Sequence, residues 1–201
     1  MSLRAELGAE RPPAGYTLLT PPDWGRFPAT TEGRDELIRL MSSRFKAVGR
    51  PDLDAETRSM VHRQWQRMQS ANVMEIFLPV EPAREGATPM SVAASPWVAA
   101  GDFESDLRGR AGAERPVERV ELPEPGTVFR WVAERPGPEG MAELFAREIS
   151  YVVPFPGRAP RRGVLLMASI VHLGVEESGQ ALEAFTTLAD AMVSTFRWRF
   201  A

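Results

Sequence analysis

Apolar residues recur at helical spacing in part of this chain and at alternating spacing through most of the rest. In DELIRLMSSRFKAV, residues Leu37, Leu40, Met41, Phe45 and Val48 recur at helical spacing, which predicts a helix over 35–48. Gly49 and Pro51 supply its stop. Asp52 or Asp54 then caps a second helix that runs to about Asn72, with Met60, Val61, Trp65 and Met68 on one face. A short helix is expected over 102–110, ending near Gly112. A last helix begins at Ser178 or Gln180, and Leu182, Phe185, Leu188, Met192 and Phe196 form its stripe.

Between these helices the period falls to two. Strands are expected at 16–20, 73–80, 90–98, 117–122, 127–134, 142–153 and 163–173. EPAREGATP, with its prolines and glycine, reads as a hairpin loop. PEPG, RPGPEG and PFPGRAPRR are too short to hold a crossover helix, so the strands they join should be antiparallel. In FRWVAE, Phe129, Trp131 and Ala133 alternate with Arg130, Val132 and Glu134, so one face is more polar. VLLMASIV is nearly continuous in apolar residues and needs cover on both sides, which only helices are left to give. The expected fold is α+β, a largely antiparallel β-sheet with helices packed on both faces. Residues 1–14 form a loose N-terminal arm and residues 15–201 a single domain. PPDWGRFP reads as a loop because proline opposes regular pairing, with Trp24 and Phe27 folded back as a plug over the core.

A first strand running into PPDWG, two helices, an antiparallel meander, and a terminal helix closing on STFRW make up a familiar order. The chain resembles the PsbP-like α/β/α sandwich over roughly residues 15–200. That fold is named for a photosystem II extrinsic subunit and is shared with a Ran-binding nuclear transport factor and with many actinobacterial proteins. The resemblance implies protein binding rather than catalysis. It matches no functional motif, so it carries no binding residue onto this chain.

Charge and composition narrow the picture. The formal net charge is −3, which gives no overall positive field for nucleic acid or an anionic membrane. Of 24 basic residues one is lysine, Lys46, a bias that a GC-rich bacterial genome explains. The chain has no cysteine, which excludes disulfides, thiol catalysis and thiolate-held metals. MSLRAELGAERPPAG lacks the apolar run of about 7 residues that a signal peptide needs, and no stretch approaches the roughly 20 apolar residues of a membrane span. The expected location is the cytoplasm. No phosphate-binding glycine loop, nucleophile elbow or H-E-x-x-H motif occurs. No cofactor or metal is expected.

Few residues are left to carry chemistry. Arg158, Arg161 and Arg162, with Phe155, crowd the proline-stiffened hairpin PFPGRAPRR, where they suit an acidic protein surface or a phosphate. His172 ends the apolar strand and is the one candidate base; His62 reads as a surface residue. Asp102, Glu104 and Asp106 suffice as a helix cap and solvated charges. Two functions follow. The first is a non-catalytic protein-binding module, an adaptor or assembly factor using the hairpin. The alternative is a small-molecule site, enzymatic or not, between the sheet and the helix pair, lined by Trp65, Trp97 and Trp131 with His172 as its polar group. A weak homodimer through the sheet edge or the hairpin is the other association the sequence allows. The closing TFRWRFA should leave the helix near Arg197, pack Trp198 inward and turn both arginines to water.

Overall fold

A computed structural model describes residues 12–47, 49–80, 90–136, 143–157, 160–173 and 175–201. In chain order the strands are β1 (Gly15–Thr17), β2 (Trp24–Pro28), β3 (Glu75–Pro79), β4 (Met90–Val98), β5 (Glu118–Glu121), β6 (Thr127–Pro136), β7 (Phe145–Pro154), β8 (Arg162–His172) and β9 (Arg197–Arg199). The helices are α1 (Thr31–Ala47), α2 (Pro51–Ser70), α3 (Phe103–Ala111) and α4 (Val175–Ser194). Seven strands form one sheet in the order β2-β3-β4-β8-β7-β6-β5, and every neighbouring pair is antiparallel. β1 and β9 make a separate ribbon, in which Tyr16 faces Trp198. The fold is therefore α+β with a largely antiparallel sheet.

Strand alternation divides the core between the two faces of the sheet. Phe77, Val92, Leu166, Ile170, Tyr151 and Val128 lie on one face under α4 and the β1–β9 ribbon, where Leu182, Met192 and Phe196 meet them. On the other face, Trp97, Trp131, Val152 and Leu165 pack against Phe103 and Leu107 of α3. Beside them, α1 and α2 cover Phe27, Ile76 and Leu78 through Leu37, Ile38, Val61 and Trp65. β8 is buried along one side from Val164 to His172, whereas on the other side Leu165 is buried, Met167 and Ser169 are half-buried and Val171 is exposed, so the expected cover on both sides holds only for its first half.

Several local expectations are corrected. PPDWGRFP does not stay a loop: Trp24–Pro28 pairs with β3 as the outermost strand. An edge strand tolerates Pro28 because one of its sides carries no ladder. Trp24 and Phe27 are both buried, on opposite faces rather than as one plug. α1 begins at Thr31, ahead of its apolar stripe, because Thr30 accepts the Gly33 N–H at 3.3 Å. A Cβ on Gly33 would lie 2.1 Å from the Pro28 carbonyl oxygen, so the turn from β2 into α1 admits only glycine there. α2 starts on Pro51 with no side-chain cap. Asp52 pairs with Arg50, while Asp54 accepts from Ser42 and Arg58 and ties the two helices. Met60 points outward and is exposed.

The arm expected over 1–14 lies mostly outside the described residues, and at Ala14 the backbone is already bonded to Arg199 O at 2.8 Å. EPAREGATP lies outside them too, although β3 and β4 on either side are antiparallel partners. At the other end, Arg197–Arg199 is extended. Trp198 sits edge-on to Phe196 and Phe155, and both arginines are exposed. Among the described residues no helix is long and apolar enough to cross a membrane.

Candidate functional site

The β7–β8 hairpin reaches past the end of the sheet beside α3. Its two strands stay paired beyond Pro154↔Gly163, with Phe155 N–H donating to Arg162 O at 2.8 Å. Gly163 makes this pairing possible, since a Cβ there would stand 2.4 Å from Val153 O. Arg161 O accepts the Ala99 N–H at 2.9 Å, which ties the hairpin to the segment leading into α3. Proline at 154, 156 and 160 limits the conformations available to the returning chain.

These constraints hold open a cleft of about 870 Å³ between the hairpin, the start of α3 and the β5–β6 edge. Phe103, Phe129 and Phe155 supply its aromatic surface, with Arg119, Arg161 and Glu104 among its charges. The aromatic walls are backed from behind. Phe103 meets Trp97 edge-on at 6.2 Å and Phe129 at 5.7 Å, while Phe155 meets Trp198 edge-on at 4.9 Å. Side chains held this way present surface without having to be ordered on binding.

The acidic residues beside the cleft are occupied locally. Asp102 caps α3 by accepting Ser105 N–H at 2.9 Å, and Asp106 accepts the N–H groups of Ala100 and Gly101. Glu104 pairs with Arg108 at 3.0 Å. Arg119 donates to Glu121 at 2.8 Å and holds that carboxyl below the usual carboxylate range, with Thr127 adding to the effect. Among the described residues no three of the His, Asp and Glu side chains converge as a metal site would require.

Of the hairpin residues, Phe155 and Arg161 line this cleft. Arg162 opens β8 and is exposed, and Arg158 lies outside the described residues. The alternative pocket is not assembled. Trp97 and Trp131 share the α3 cluster, whereas Trp65 sits in the α1–α2 cluster and donates to Thr30 O at 2.8 Å. His172 has the parity of Ile170 and Leu166, which places it on the opposite face. It is buried there, stacked on Phe145 at 5.8 Å with Nε2 3.2 Å from Glu134 Oε2, and Arg147 holds the other oxygen of Glu134 at 2.6 Å. His172 therefore faces away from the side of the sheet on which all three tryptophans lie. His62 is exposed, as expected.

Two polar clusters went unread in the sequence. Buried Glu75 accepts from the Tyr16 hydroxyl and from Arg26 Nη2, the latter at 2.9 Å. On the same face of the sheet, Asp190 Oδ1 accepts from Tyr151 at 2.6 Å and from Arg130 Nε at 2.9 Å, and Arg130 also holds Glu118 at 3.0 Å. Burial first, then the hydrogen bond to its carboxylate, pushes each tyrosine hydroxyl well above the ordinary phenol range. The available signal was parity, because Glu75 shares an inward-facing strand position with Phe77. No protein-family model matches the chain and no curated protein sequence matches it, so the site's chemistry rests on its own residues.

Proposed function

We propose that this chain is a cytoplasmic, non-catalytic protein-binding module, an adaptor or assembly factor, that receives a segment of its partner in the cleft beside the β7–β8 hairpin. The observation that carries the reading is the convergence of Phe155 and Arg161 with Phe103, Phe129 and Arg119 around one wide cleft. Aromatic surface beside arginine is the composition of the strongest contacts in protein interfaces. Support also comes from the order of elements, two short strands, a helix pair, antiparallel strands interrupted by α3 and a late long helix, which is in keeping with the likeness to PsbP-like proteins.

Affinity capture from lysate of the source organism, followed by calorimetry with the purified partner, tests this function. Wild-type protein is compared with Arg161→Glu, with Phe155→Ala, and with Met60→Glu as a distant surface control. Binding should fall at least tenfold in both cleft variants and stay unchanged in the control. A partner that binds all four proteins equally overturns the assignment to the cleft, and absence of any stoichiometric partner overturns the adaptor reading.

A further inference from the structure

A second cleft, of about 420 Å³, opens on the other face of the sheet between α4 and the β5–β6 edge. Its apolar surface is that of Val120 in β5 and of Leu122 just after it, both half-buried, over Val128 of β6 and Val193 of α4, which are almost wholly buried. Its polar end is the cluster around Arg130. The guanidinium is mostly covered, with 14% of its side chain accessible, and it binds Glu118 Oε2 through Nη1 and Asp190 Oδ1 through Nε. Tyr151 donates to that same Asp190 oxygen.

The charge count of this end decides what it can accept. One guanidinium faces two carboxylates, and Tyr151 stays neutral, so the cluster carries a net charge of about −1. Each carboxylate also keeps an oxygen, Glu118 Oε1 and Asp190 Oδ2, with no partner among the described residues. Arg130 spends Nε and Nη1 on holding those carboxylates in place. A solvated ion-pair network needs no cavity, but this one stands at the mouth of an apolar recess in the size range of small-molecule sites.

We infer that this cleft binds a compact apolar molecule bearing a protonated amine. The ammonium group lies against the unpartnered oxygens of Glu118 and Asp190, and the apolar body packs on Val120 and Leu122, the half-buried apolar side chains of the cleft. An anion is disfavoured by the same two carboxylates, and a neutral analogue leaves them without a charged donor. This binding is separate from the hairpin cleft and does not depend on its role.

Phenethylamine is the probe, read by calorimetry and by saturation-transfer NMR. It is compared with 2-phenylethanol, 3-phenylpropionate and Nα-acetyl-lysine amide, the last carrying the ammonium of a protein side chain without the apolar body. The amine should bind at least about tenfold tighter than each comparison compound, the scale of a charge-assisted hydrogen bond. Glu118→Gln, on an exposed edge strand, should weaken it about tenfold, and Val120→Trp should abolish it by filling the recess. Wild-type thermal unfolding in both variants shows that the fold survives. No binding of the amine at millimolar concentration, equal binding of the alcohol, or binding untouched by both substitutions overturns the inference. Equal binding of the lysine amide overturns it in favour of a partner's lysine side chain.

Discussion

Tyr16 and Tyr151, the two tyrosines of the chain, each donate to a carboxylate that also holds an arginine, yet one site is sealed and the other stands open. Around Tyr16 the phenol and the carboxylate are closed off, and only Arg26 reaches solvent, with 52% of its side chain accessible. The ring stacks on Phe196 at 5.0 Å and 12°, and Glu75 is 6% exposed beneath the β1–β9 ribbon. Around Tyr151 the phenol is equally buried, but its partner Asp190 lies at a cleft mouth with 45% of its side chain accessible. The same three groups thus do different work according to what covers the carboxylate. In the sealed site they satisfy one another and fasten the ribbon to the sheet. In the open site they hold charge where a ligand can reach it.

The contrast can be broken most forcefully at Phe196, which is fully buried and roofs the sealed site. Phe196→Ala should lower stability by about 3–5 kcal/mol in chemical denaturation, as loss of a buried aromatic ring does. Tyr16→Phe comes next, at about 1–3 kcal/mol, because it strips a buried carboxylate of a donor. Tyr151→Phe should lose about 1 kcal/mol or less, since water can replace the hydroxyl at exposed Asp190. Equal losses in the two tyrosine variants would erase the distinction.

The smallest effect is on pH dependence. Both hydroxyls hold their protons in the folded chain beyond the pH near 10 at which unfolded tyrosine ionises. Above that pH the unfolded state binds fewer protons than the folded state, so stability that is complete below pH 10 declines as pH rises. The decline should be a few tenths of a kcal/mol per tyrosine over the first half unit. Replacing both tyrosines with phenylalanine should flatten that part of the stability profile.

Much of the scaffold was legible because its signals are local. The Met90–Val98 strand, the Asp102 cap and Gly112 stop of α3, and the strand nature of the apolar run in β8 all follow from spacing within a few residues. The extended end with Trp198 packed and Arg197 and Arg199 in water was read from the same kind of pattern. Half of the candidate cleft was legible as well, since Phe155 and Arg161 stand out in a proline-rich hairpin. Its other half, Phe103, Phe129 and Arg119, comes from elements that sequence proximity does not bring to that hairpin. The tyrosine clusters were hidden for the same reason, with bonds spanning 59 residues from Tyr16 to Glu75 and 60 from Arg130 to Asp190. His172 was misplaced because its strand was known but not which helices lay over each parity.

The strand order has a consequence for the growing polypeptide. β2, β3 and β4 form one meander and β5, β6 and β7 another, and only β8 lies between them, pairing with β4 over nine residues and with β7 over ten. On the ribosome both meanders are finished before their shared neighbour is made. Each then waits with an open edge of unpaired backbone amides and carbonyls, the kind of edge that recruits other chains. Residues 162–172 act as a keystone that arrives late, so any delay in translation between 155 and 172 lengthens the interval in which two half-sheets remain free to pair with the wrong molecule.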